Sequence, residues 1–417
     1  LRAADIRGDP SRMAKAVRKP RAPKMQSLRF TRVRLENWRN FRDVEVRLSS
    51  RAFLVGPNAS GKSNFLDALR FLRDIARPDG GLATALGQPG VPGRGGFTGV
   101  RCLFARKPSA LVFDVDVGTT KEPSLWSYRL VLQRQQAVKG KPVAIDEEIV
   151  RHRGAVVSSF RRPPKVEDWL LYSQTRLEQV EANREFRALA EFFASIRYLH
   201  VVPQIVRDWR RASVQGEDPF GGNLLRRMKE TPKKRRDPRL GRIAAALQIA
   251  VPQFEDLTLK DDSEGRPHLY AAFRHWRGNP SQQSEEVFSD GTLRLIGFLW
   301  SLTEVGGPLL LEEPELSLHD AVVAQLPAMM RRAQQLSDRQ LIATTHSEAI
   351  LDAPGIGPEE VHRIVPGENG STIETAADNQ TVMALLRDAD WSLGQAVLPL
   401  TQPQDVGRLG LARVASD

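Results

Sequence analysis

Residues 56–63 read Gly-Pro-Asn-Ala-Ser-Gly-Lys-Ser, and the apolar run Ala52, Phe53, Leu54, Val55 stands immediately ahead of them. The run predicts a buried strand, and what it feeds is a complete Walker A loop. Gly56, Pro57, Asn58, Ala59, Ser60 and Gly61 keep the loop small enough for successive backbone N–H groups to curl around a phosphate. Lys62 then reaches the β and γ oxygens of a triphosphate, and Ser63 places a hydroxyl on Mg2+. From Asn64 onward the apolar spacing of Phe65, Leu66, Ala68 and Leu69 is helical, so the phosphate also faces a helix N-terminus. This pattern predicts an α/β fold that takes ATP and Mg2+. A Gly-rich strand-to-helix turn with no ligand is the competing reading.

Three segments far downstream follow in a set order. Phe288-Ser289-Asp290-Gly291-Thr292 precedes a helix-like run, Leu293 to Leu302. Pro308-Leu309-Leu310-Leu311-Glu312-Glu313-Pro314-Glu315 is a short apolar strand ending in two carboxylates, and Leu341-Ile342-Ala343-Thr344-Thr345-His346-Ser347 is another ending in a histidine. Taken singly, Ser-Asp-Gly is most often a turn, paired Glu a solvated strand end, and a lone His a structural residue. In this order, behind the phosphate loop, they resemble the ABC-type ATPases of the soluble SMC/RecF-like branch. The Glu-Glu-Pro-Glu ending is similar to that of stand-alone ATPases of bacterial defence, the OLD-like type.

The resemblance implies a P-loop NTPase of ABC-ATPase type, a mixed sheet flanked by helices with a compact, mostly helical insertion between two lobes. It implies that Glu312 and Ser63 hold the magnesium, and that Glu313 orients and deprotonates the attacking water. His346 contacts the γ-phosphate, with Lys62 beside it. Ser289 and the backbone of Gly291 match the signature loop that approaches the nucleotide of a neighbouring protomer, which implies a homodimer closed through an ATP sandwich. Two residues depart from the family pattern. Asp290 and Thr292 stand where Leu-Ser-Gly-Gly-Gln has its first Gly and its Gln, and an acid beside a triphosphate is unfavourable unless it points away. Glu312 is one methylene longer than the usual Asp, so slow turnover is an alternative expectation.

The stretch Leu28 to Leu35 alternates apolar and polar residues as a strand does, and Val44 to Leu48 does so again. Between them lies Asn37-Trp38-Arg39-Asn40-Phe41, in the position of the family's adenine-side turn; a base contact by Trp38, Arg39 or Phe41 and a purely hydrophobic corner are both open. The family's Q-loop glutamine has a weak counterpart in Gln88, within the Gly/Pro-rich loop Ala85 to Gly96. No heptad repeat is sustained, so the arm that is a coiled coil in SMC proteins is expected to be compact. The expected division is a basic extension over 1–27, with Met25 as the suspected start, then lobes over 28–130 and 276–370 flanking the insertion 131–275, and a tail over 371–417.

The net charge of +11 is concentrated in two places. Residues 1–27 carry eight Lys/Arg and two Asp, and residues 226–242 carry nine Lys/Arg and two acids, so the rest of the chain sums to −2. The second run falls in the insertion and reads either as a solvated loop or as a contact to a nucleic-acid backbone. It holds no aromatic residue, so base stacking is not indicated. Cys102 is the single cysteine, which fits a cytoplasmic setting. No apolar stretch approaches the roughly 18 to 20 residues of a membrane span.

After His346 the sequence continues for 71 residues. OLD-like enzymes carry a Toprim nuclease domain at this place, and Asp388-Ala389-Asp390 superficially matches its metal pair. Gln380 to Arg387 reads as a helix, though, and a nuclease domain needs about 100 residues. Cutting is therefore expected of a separate effector, a nuclease or toxin gated by this ATPase in phage defence or DNA maintenance. A nucleotide-gated scaffold for nucleic acid or protein that hardly turns over is the alternative.

Overall fold

The chain enters on β1 (Arg29–Trp38) and β2 (Phe41–Arg47), an antiparallel pair that turns tightly through Arg39, at φ 51°, and Asn40. A computed structural model describes residues 28–402 except 88–93, 106–108, 136–142, 167, 209–217, 219, 275–280, 305 and 389. The basic extension and Gln88 lie outside the described residues. β3 (Arg51–Val55) follows, buried along its whole length. β4 (Leu111–Gly118), β5 (Trp126–Arg134), β6 (Val143–His152) and β7 (Ala155–Arg161) then extend from β1. The result is an antiparallel six-stranded sheet of order β2-β1-β4-β5-β6-β7. Alternate burial along β5 is what a sheet with one covered face requires.

The second sheet is built on β3. β8 (Arg197–Leu199), β12 (Leu309–Glu312), β13 (Leu341–Thr344) and β14 (Val361–Val365) run parallel to it. β15 (Thr372–Thr375) closes one edge antiparallel, giving the order β15-β14-β3-β13-β12-β8. Between β8 and β12 the chain makes a three-stranded antiparallel sheet from β9 (Phe254–Asp261), β10 (Pro267–Phe273) and β11 (Ser281–Ser284). The unbroken apolar runs of β3, β12 and β13 are those of strands covered on both faces.

Two hydrophobic cores result. One fills the space between the antiparallel sheet and the parallel sheet around the helix Lys62–Ala76, where Phe71 stacks on Phe113 at 5.0 Å and Trp38 meets both rings. The other packs the helix Asp290–Thr303, with the fully buried Trp300, against the opposite face of the parallel sheet.

The α/β expectation holds, but helix does not dominate residues 131–275. Helices occupy Arg187–Ala194, Pro203–Arg207, Leu224–Glu230 and Lys233–Ala250. The end of β5 and the whole of β6 to β10 share that segment, because their apolar residues recur with the period of a pleated strand. The basic run is likewise no loop but two helices. Among the described residues no helix is long and apolar enough to cross a membrane. Gln380–Asp388 is a helix, as its pattern indicated, and Ala389 lies outside the described residues.

Candidate active site

Because β3, β13 and β12 are parallel neighbours, their C-terminal ends share one edge of the sheet, with Glu312 paired to Thr344 and Thr344 to Leu54. Ligands of open parallel sheets sit at that edge. The phosphate loop leaves β3 there and enters its helix at Lys62. Its glycines have a steric reason. Gly61 sits at φ 114°, and a Cβ on it would fall 2.2 Å from the Asn40 side chain, while a Cβ on Gly56 would fall 2.6 Å from the Ile364 carbonyl. Ala59 adopts a left-handed conformation without being glycine, at φ 63°.

The aromatic turn before β2 turns out to be a brace for this loop. Asn40 donates to the Ser60 carbonyl and to Ser371 Oγ, and accepts from Asn64 at 2.8 Å. Trp38 Nε1 donates to the Asn64 carbonyl at 2.8 Å, and Arg39 donates to Asp67. Trp38 and Phe41 are fully buried, which gives the hydrophobic corner for these two, while Arg39 is partly exposed and pairs with Asp67.

Five sequence-selected side chains meet at the strand ends. Lys62 Nζ donates to the carbonyls of Gly56 at 2.9 Å and Pro57 at 3.1 Å. Burial lowers its pKa, opposed by the charges of Glu313, Glu312 and Glu315. Ser63 Oγ donates to one oxygen of Glu312, and Tyr198 from β8 donates to the other. Glu313 stands at φ 43°, its N–H donating to Thr344 Oγ1 at 3.0 Å. Its carboxylate lies 3.5 Å from His346 Nε2, a contact that holds its pKa below the ordinary value despite burial. Asn58 is exposed at the loop tip, and Ser60 Oγ is buried with no partner.

Tyr198 and Glu315 were not foreseen as site residues. Glu315 Oε1 accepts from Thr345 Oγ1 at 2.6 Å and from the His346 N–H at 2.9 Å, which fixes the backbone that presents His346. Its other oxygen is buried without a partner, and burial raises its pKa. The run Glu-Glu-Pro-Glu contained a signal for Glu315. Tyr198 had none beyond lying in a strand, since its contact with Glu312 needs the pairing of β8 with β12.

Ser289 and Gly291 sit apart from this cluster. Ser289 is exposed and caps the helix Asp290–Thr303, accepting from the Thr292 N–H at 3.1 Å. Gly291 packs so closely on the Ser317 carbonyl that a Cβ would fall 2.4 Å from it. Among the described residues neither hydrogen-bonds to the phosphate loop of its own chain. Asp290 is held by Arg207 at 2.8 Å and Gln204 at 3.2 Å, both on the helix Pro203–Arg207, so its charge is compensated from within the chain.

The residues fit a magnesium nucleotide. A cradle that only glycine fits, a buried hydroxyl without a partner, a lysine resting on carbonyls, and a hydroxyl paired with a carboxylate converge on one edge.

Sheet, loop and strand-end carboxylates together define a P-loop NTPase of the ABC-ATPase type. Residues 51–352 match the family described as AAA domain, putative AbiEii toxin, Type IV TA system, and the chain belongs to that family. Over 47 residues the sequence is 43% identical to Endonuclease GajA of Bacillus cereus (strain VD045), a stretch that covers 11% of this chain and 8% of that protein. Among solved structures, an SMC head bound to the C-terminal winged-helix domain of ScpA aligns over 83% of this chain and 97% of its own, at 13% identity and TM-score 0.47. The SMC head domain from Thermotoga maritima aligns over 83% and 98%, at 14% identity and TM-score 0.38.

Proposed function

We propose that this chain binds and hydrolyses Mg·ATP at the C-terminal edge of its parallel sheet, and that nucleotide closes two copies on each other to gate a separate effector. The observation that carries the reading is the convergence of Lys62, Ser63, Glu312, Glu313 and His346 from three neighbouring strand ends. When bound, ATP supplies the anhydride to be broken, and Mg2+ neutralises the charge that develops on it. The loop amides and Lys62 grip the phosphates, while Ser63 and Glu312 hold the ion. Glu313, kept ionised by its contact with His346, takes the proton of the attacking water. Exposed Ser289 and the backbone at Gly291 face a second protomer, and Arg207 removes the electrostatic objection to Asp290.

An effector of nuclease or toxin type, acting in phage defence or DNA maintenance within the cytoplasm, is supported by the family's toxin description and by the short stretch shared with an endonuclease. One observation favours a slower, scaffold-like protein: both oxygens of Glu312 are already engaged by Ser63 and Tyr198.

Steady-state phosphate release with and without DNA separates the two readings. Magnesium-dependent turnover supports the enzyme, and its absence with intact ATP binding supports the scaffold. For the sandwich, Glu313→Gln should accumulate as an ATP-bound dimer in light scattering, and adding Ser289→Arg should return it to monomer. A double variant that still dimerises on ATP would remove the composite site.

A further inference from the structure

A cleft of about 520 Å3 lies at the other end of the parallel sheet, where the strands begin. The phosphate-loop helix runs back towards it for 15 residues, about 22 Å at 1.5 Å per residue, so cleft and loop are well separated. Arg77, just past that helix, Arg197, the first residue of β8, and Arg226 and Arg227 from the helix Leu224–Glu230 line one part of it. Arg235 and Arg239 from the helix Lys233–Ala250 line another. Being four residues apart, these two share a helix face and stand about 6 Å apart along its axis.

The carboxylates in the cleft are already engaged. Asp79 pairs with Arg77 at 2.9 Å, Glu230 with Arg226 at 3.6 Å, and Glu304 with Arg227. Arg235 and Arg239 have no carboxylate within ion-pair distance among the described residues. The Arg239 guanidinium carbon is 5.6 Å from the centre of the Trp300 ring, and a guanidinium resting on a ring keeps its in-plane N–H donors for an oxyanion. Burial lowers the Arg239 pKa, and the charges of Arg242 and Arg235 lower it further against a rise from Glu304. Lys233, Lys234, Arg236 and Arg242 extend the cationic surface along the same helix.

The geometry points to this cleft as a sequence-independent binding site for the phosphate backbone of a nucleic acid. Arginine forks match phosphate oxygens, and the excess charge runs along the helix further than one phosphate can reach. Trp300 lies fully buried beneath Arg239, and among the described residues no aromatic side chain lines the cleft, so backbone phosphates rather than bases are what the cleft recognises. The site stands independently of ATP turnover.

Fluorescence anisotropy with a short labelled duplex DNA and a short labelled RNA, without nucleotide and at several salt concentrations, tests the assignment and tells the two polymers apart. Arg235→Glu with Arg239→Gln should weaken binding at least tenfold and flatten the log–log salt slope by about 2, the loss expected for two phosphate contacts. Arg235 is exposed, so Arg235→Glu alone tests the cleft without risk to the fold and should weaken binding about threefold. Arg153→Glu, an exposed change on the far β6–β7 turn, should leave affinity within about twofold. Equal losses for Arg153→Glu and the cleft variants would reduce the effect to net charge and overturn the site. So would parental protein that binds neither polymer, or cleft variants whose nucleic-acid affinity is unchanged while binding of polyglutamate falls, which would assign the cleft to an acidic protein surface. Calorimetry of the same variants with a non-hydrolysable ATP analogue should give parental affinity, so failure here and failure of the ATP site are read separately.

Discussion

Where β3 and β14 begin, Arg51 donates to both oxygens of Glu360 at 3.2 and 2.8 Å with both residues buried, and nearby Arg339 donates to the carbonyls of Gly307, Ser301 and Glu304. Where the same sheet ends, Lys62 reaches only two carbonyls of its own loop, Ser60 Oγ and Glu315 Oε2 have no partner, and Glu313 is 3.5 Å from His346. Burying a charge is tolerable when it is paired, and a buried group left unpaired in a folded protein asks for an explanation. At the first end the charge of Arg51 is paired with Glu360, although its Nη1 is buried without a partner, and the pairing serves stability. At the second, unsatisfied groups are what a triphosphate and its ion would complete. The arginine cleft is an intermediate case: it lies at the stable end, yet among the described residues Arg235 and Arg239 have no carboxylate within ion-pair distance.

Substitutions at the two ends should therefore separate activity from stability. The largest effect is expected for Glu313→Gln, which keeps size but cannot accept the water's proton: turnover should fall at least about 100-fold, with the melting temperature unchanged. At the paired end Glu360→Ala strands the Arg51 guanidinium. It should cost about 3–5 kcal/mol by denaturant unfolding while ATP affinity per folded molecule stays parental. A stable Glu360→Ala protein would break the comparison.

Tyr198→Phe lies between these cases. It deletes the hydroxyl that holds one oxygen of the longer Glu312 side chain, so the magnesium concentration needed for half-maximal ATP-analogue binding should rise about tenfold with little loss of stability. The smallest effect concerns Glu148, buried in β6 with no ion pair among the described residues. Burial raises its pKa to about 7, against hydrogen bonds from the Arg176 N–H, Tyr128 OH and Leu177 N–H. A raised folded pKa contributes stability that is complete below the unfolded value of 4.5 and is lost as pH rises through about 7. The melting temperature of the parent should thus fall between pH 5 and 8 by roughly 2–4 °C more than that of Glu148→Gln. Parallel profiles would mean that the hydrogen bonds outweigh burial.

The nucleotide end was legible because its parts are contiguous. A strand, its loop and the following helix occupy one stretch, and the carboxylates and histidine each end a short apolar run. Contacts that exist only once β8 lies beside β12 left no local trace, and Tyr198 is the plainest example. The cleft shows the same limit. Its charge run was visible, but it read either as a solvated loop or as a contact to a nucleic-acid backbone, and not as part of a helix. The structure places Pro232 at the helix cap, and the buried stripe Leu240, Ile243, Ala244 and Leu247 carries the helix past Pro238. The strands β6 and β7 were absorbed into an expected helical arm because only a neighbour such as β5 reveals which face of each is covered.

The phosphate loop is the part of the molecule on which nucleotide binding depends most. Titration calorimetry of a non-hydrolysable ATP analogue with magnesium, on the parent and on Lys62→Ala, tests it most directly. Lys62 donates only to loop carbonyls, so its loss should leave the fold intact while analogue affinity falls below detection. A folded Lys62→Ala protein that binds the analogue as the parent does would contradict the assignment of this edge as the nucleotide site.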